Sequence, residues 1–157
     1  MTEFDEWKAE QARAYLQRIR RAGIECERLQ AKIADEYAKA EGVSGIDYSS
    51  DRIAKSPNPD AIPNAVARIT ELIREYAAEL VGYEDERHQA YETLMSMPKR
   101  NEGAALAFHY VLGYDWPTVC EKMEYTKDGM DSLAKRALAH YWDYMPRIER
   151  DTLPPAV

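Results

Sequence analysis

The sequence predicts an all-α protein: a long, coiled-coil-like antiparallel helical hairpin followed by a small three-helix helix-turn-helix domain. Three observations predict it. Between Glu3 and Glu41 there is no proline, and apolar or small residues recur in steps of three and four at Ala12, Tyr15, Ile19, Ala22, Cys26, Leu29, Ile33 and Tyr37. After a proline-rich break, a second stripe runs through Val66, Ile69, Ile73, Tyr76, Leu80, Tyr83, Ala90 and Leu94. Three short amphipathic segments then follow between Asn101 and Trp142, separated by Gly113 and by a polar turn at Glu124 and Tyr125.

The first helix is read as Glu3 to Glu41, stopping at Gly42; at 1.5 Å per residue it spans roughly 55–60 Å. Residues 43–62 lose the helical pattern, with Ser44, Gly45, Ser49, Ser50, Ser56, Pro57, Asn58, Pro59 and Asp60 in close succession. So long a loop is either a connector or a functional segment, in which Tyr48, Arg52 and Lys55 are candidates to touch a partner or a phosphate. The second helix begins between Asp60 and Pro63, carries Arg87 at an expected seam position and a soft point at Gly82, and is closed by Pro98. Each long helix has a narrow seam, so self-association is an expected way to bury more of it.

The C-terminal segments carry the clearest local signals. Asn101 is read as the N-cap of the first, with Ala104, Ala105, Ala107, Phe108, Val111 and Leu112 on its apolar face and Gly113 as its left-handed stop. Asp115 caps the second, which has Pro117 in its first turn and buries Trp116, Val119, Cys120 and Met123. Thr126 caps the third, whose apolar face is Met130, Ala134, Ala137, Leu138 and Tyr141. The opposite face shows Lys127, Asp128, Asp131, Ser132, Lys135 and Arg136, with a formal sum of +1. The expected organisation is 1–97 for oligomerisation or partner docking, 98–146 for the helix-turn-helix and 147–157 as a flexible tail.

The run from Leu106 to Leu138 resembles region 4 of bacterial primary-type sigma factors. It is more closely similar to small phage and prophage transcriptional regulators of the ArpU/RinA-like kind. Leu106, Tyr110, Gly113, Trp116, Val119, Met123, Tyr125, Thr126, Met130, Arg136, Ala137 and Leu138 carry the resemblance. The N-terminal half is similar to those proteins in layout. The resemblance implies promoter or operator binding in phage gene control, with the third helix in a DNA major groove. Thr126, Lys127, Asp131, Ser132, Lys135 and Arg136 are the candidate reading residues; Trp116, Thr118 and Lys122 are candidates to position the DNA backbone.

Charge qualifies that reading. The 157-residue chain has a formal net charge of −7, with 13 Lys/Arg against 19 Asp/Glu up to Met97 and 8 against 9 from Pro98 onward. Phosphate neutralisation supplies most non-specific DNA affinity, so an acidic chain binds DNA weakly alone, as a multimer, or beside a partner such as RNA polymerase. The alternative readings are a protein-interaction adaptor with little DNA contact and a small terminase-like DNA-packaging subunit.

Other classes find little support. No stretch reaches the roughly 18 apolar residues of a membrane span, no signal peptide is visible, and Cys26 and Cys120 read as reduced packing residues of a cytoplasmic protein. His88, His109 and His140 have no metal-ligand spacing; Glu84 and His88 share a helix face, but in a run that reads as solvated and charged. Phosphate-loop, nucleophile-elbow and dinucleotide-binding motifs are absent from the sequence. The expectation is a non-enzyme without metal or cofactor.

Overall fold

A computed structural model describes residues 1–44 and 61–150. The chain is all-helical, with no strand among the described residues. Helix α1 spans Glu3–Ser44, α2 Ala61–Met95, α3 Arg100–Leu106, α4 Trp116–Met123 and α5 Lys127–Tyr141. A π-helical turn, Ala107–Val111, continues α3, and a short 3-10 turn, Arg147–Glu149, follows α5. Most of the loop expected at 43–62, including Tyr48, Arg52 and Lys55, lies outside the described residues.

The chain packs as two compact units, Met1–Ile24 with Tyr83–Val157, and Glu25–Gly82. This differs from the division expected after residue 97. Leu94 and Met97 share one core with Leu106, Tyr110, Leu138 and Tyr141, so a boundary there would run through packed side chains. The start of α1 belongs to the same core through Ala9, Ala12, Tyr15, Leu16 and Ile19. Leu16 is fully buried although it lies beside the three-four seam, because this part of α1 is covered over a wider arc than one neighbouring helix provides.

Polar and aromatic contacts hold α1 against the end of α5. The Trp142 indole Nε1 donates to Gln11 Oε1 at 2.9 Å, and Lys8 Nζ lies 3.4 Å from Asp143 Oδ1. Phe4, Trp7 and Trp142 form a ring cluster with centroids 5.5–6.4 Å apart, with the Lys8 ammonium over both Phe4 and Trp142. The expected tail is structured at its start: Glu149 pairs with Arg18 at 2.9 Å, and Arg150 lies over the Trp142 ring. Residues 151–157 lie outside the described set.

Within the second unit, Gln30 Nε2 donates to the Tyr76 hydroxyl at 2.6 Å and Arg68 Nε to Glu36 at 3.0 Å. Among the described residues, the apolar side chains buried there are Cys26, Leu29, Ala65 and Ile69. Two residues of the expected α2 stripe fall elsewhere: Val66 is 55% exposed and Ile73 42%. Ala65, one position before Val66, is buried in its place.

Candidate nucleic-acid interface

Local chemistry builds α4, the turn and α5 as the sequence predicts. The Asp115 carboxylate accepts from the Thr118 amide at 3.0 Å, satisfying a free N–H of the first turn of α4. Thr126 Oγ1 accepts from the Gly129 amide at 3.1 Å and does the same for α5. Between them Glu124 adopts the left-handed conformation, φ 59° and ψ 45°, a turn position where glycine is usual. The turn is closed by the Tyr125 amide donating to the Cys120 carbonyl at 2.9 Å. Nothing in the residue type marks Glu124 for this conformation; its place between two capped helices forces it.

A small core locks these helices together. Ala105, Val119, Met130 and Leu133 are its buried centre, with Phe108, Trp116, Cys120, Met123 and Tyr125 packed around them. On the other side of α5, Ala137, Leu138 and Tyr141 enter the larger core shared with α1. The whole expected apolar face of α5 is buried, with Leu133 and Ala139 added to it.

The preceding helix departs from expectation at both ends. It starts at Arg100, with Lys99 at the cap position; Asn101 lies inside it and donates through Nδ2 to the Tyr125 hydroxyl at 3.2 Å. It ends in the π turn, where the Leu112 amide donates to the Ala107 carbonyl, five residues back. The extra residue rotates the face, so Leu106, Tyr110 and Val111 are buried while Leu112 is 46% exposed. Gly113 follows with φ +81°, the left-handed stop its residue type predicts.

Two buried polar groups brace this region. Glu102 is 2% exposed, and its carboxylate lies 2.7 Å from His140 Nδ1, linking α3 to α5. His109 is 8% exposed; its ring stacks on Trp116 at 4.0 Å, and its Nδ1 lies 2.7 Å from the Tyr114 carbonyl. A carbonyl only accepts, so Nδ1 carries the proton. Burial, aided by the nearby Arg20, lowers the His109 pKa from 6.5 to about 4 against the opposing pull of the Tyr114 carbonyl.

This shift links folding to pH. The unfolded chain takes up a proton on His109 below about 6.5, the folded chain only near 4. Protons therefore favour the unfolded state across that window. The contribution is complete above pH 6.5, falls as pH drops toward 4, and levels off below. The denaturation midpoint is expected to fall across this window in the wild type and to fall less steeply in His109→Phe. That variant keeps the ring stack and loses about 1 kcal/mol at pH 7.5 with the Tyr114 hydrogen bond. An undiminished slope in His109→Phe would assign the pH dependence elsewhere.

The candidate reading residues Thr126, Lys127, Asp131, Ser132, Lys135 and Arg136 are all exposed along α5, with Asp128 between them. Lys135 and Arg136 make no ion pair among the described residues. The three backbone-positioning candidates divide. Lys122 is exposed, with Nζ 4.9 Å from the Tyr114 ring centroid; Thr118 is partly buried; Trp116 is half-buried between His109 and the small core. Among the described residues, no cluster of three or more His, Cys, Asp or Glu has an arrangement that would hold a metal ion. Cys26 and Cys120 form no disulfide. No described helix is long and apolar enough to cross a membrane. Comparison with family models, curated proteins and solved structures finds no match for this chain.

Proposed function

We propose that this protein binds double-stranded DNA through the exposed face of α5, as a phage-type transcriptional regulator with a helix-turn-helix of sigma region 4 type. One observation carries the reading. Two short helices, each capped by a side chain at its start, meet at a tight turn on a small core shared with α3 and leave six polar candidate residues at and along α5 in solvent. Lys127, Lys135 and Arg136 supply the phosphate and base-edge donors, and Thr126 contributes its cap to the placement of α5. Trp116 supports the module through its stack on His109.

The long helices serve in this reading as a hairpin for self-association. Among its described residues the second unit buries few apolar side chains of its own, while Ile62, Val66, Ile73 and Val81 remain exposed on α2. A dimer presents two α5 helices and sums two weakly basic faces, which suits half-sites about 34 Å apart or a multiple of it.

The double variant Lys135→Ala/Arg136→Ala is expected to lose at least about 10-fold in affinity for the DNA upstream of its own coding sequence in a gel-shift assay, with an unchanged melting temperature. Unchanged binding would remove α5 as the reading helix.

An adaptor reading keeps support from one observation: the α5 face sums to only +1 and has Glu6 and Glu10 as neighbours. Capture of RNA polymerase at high salt, together with no DNA shift at low salt, would favour it.

A further inference from the structure

The start of α1 and the exposed side of α5 enclose an open groove of about 700 Å³. Ser132, Lys135 and Arg136 form one wall, and Glu6, Glu10 and Arg13 stand on the other. The contacts of Lys8 and Gln11 with the end of α5 keep α1 in this position. The Arg13 guanidinium is tied to Glu10, whereas Glu6 makes no ion pair among the described residues.

We propose that the first turns of α1 form a second wall of the duplex-binding cleft, and that Glu6 and Glu10 hold down its affinity for DNA phosphates. The inference rests on α5 being the reading helix. An α-helix of 10–12 Å diameter fills a major groove about 12 Å wide, so an element lying beside the helix is brought to a phosphate strand. At Ser132 to Arg136 that element is α1. Its two carboxylates face the positions where Lys135 and Arg136 would meet phosphate, and they cancel much of that attraction. Glu10 also occupies Arg13, withholding a third cation from the strand. The effect weakens sequence-independent attraction and gives base-edge contacts from α5 more weight in the total.

The test measures fluorescence anisotropy of a labelled 30-bp duplex with the full chain at two salt concentrations. Glu6→Gln/Glu10→Gln keeps shape while removing two negative charges. Glu71→Gln/Glu75→Gln makes the same charge change on the exposed surface of α2. The groove variant is expected to bind about 3- to 10-fold more tightly than wild type at 50 mM salt, with the gap closing to under about 2-fold at 300 mM. The α2 variant should stay within about 2-fold of wild type throughout. Glu6→Gln alone, which breaks no ion pair, should give about 2- to 3-fold and covers the case of a double variant that folds poorly. Equal gains from both double variants would make net charge the cause and overturn the proposal. No gain over a wild type that binds would overturn it while leaving α5 as the reading helix. Failure of every protein to bind would overturn both.

Discussion

Gly103→Ala is expected to lower stability by about 3 kcal/mol and the melting temperature by roughly 6–12 °C. A Cβ built on Gly103 would lie 2.1 Å from the Leu94 carbonyl oxygen and 3.1 Å from its carbon. These are backbone atoms of the last turn of α2, and the same carbonyl accepts from the Met97 amide at 3.3 Å. Relief therefore requires moving α3 away from α2, which loosens Leu94, Met97 and Leu106 together. Gly82→Ala is the contrasting change. Its Cβ meets nothing within 4 Å, and the residue lies inside α2, so alanine should add about 0.5–1 kcal/mol through helix propensity. Thermal and urea melts of the two variants check both signs. A Gly103→Ala protein melting within about 2 °C of wild type would show that this close approach is absent in solution.

His140→Ala is expected to cost about 2 kcal/mol, although the His140 side chain is itself half exposed. The loss arises on the other partner. Glu102 stays buried, its donor gone, with Lys99 Nζ at 4.0 Å as the remaining charge beside it. Adding Glu102→Gln replaces a stranded carboxylate with a neutral amide and should recover about 1 kcal/mol. The non-additivity distinguishes a specific pair from general loosening of α5. Denaturant melts of the four proteins at pH 7.5 measure it; strict additivity would contradict a direct coupling.

What was legible in the sequence is what short-range chemistry determines. Asp115 and Thr126 each cap within three residues, Gly113 takes the left-handed conformation, and the buried face of α5 follows from helical spacing. The π turn was not legible, since Ala107 to Val111 reads as ordinary helix and the added residue serves packing on two sides. Glu124 was equally hidden, because its conformation comes from the helices it joins. The Glu102–His140 contact joins residues 38 apart, and the packing of α1 against α5 joins residues more than 130 apart. Periodicity identifies an inward face but not the partner that covers it. That is why Leu16 lay beside the predicted seam, and why nothing in the sequence singled out Glu6 and Glu10. The exposed polar face of α5 was recognisable from helical spacing; the groove beside it required the fold.

The shared core of α1 with α3 and α5 also has a consequence for biosynthesis. Ala12, Leu16 and Ile19 leave the ribosome more than a hundred residues before Leu138, Tyr141 and Met145, which belong to the same core. At typical elongation rates the nascent α1 carries an uncovered apolar face for on the order of ten seconds. The C-terminal helices in turn draw on that core, since Leu106, Tyr110 and Tyr141 pack with residues of α1 made much earlier. Maturation is thus coupled to synthesis of α5: a translation product ending before α5 would leave the apolar face of α1 open to chaperones and proteases.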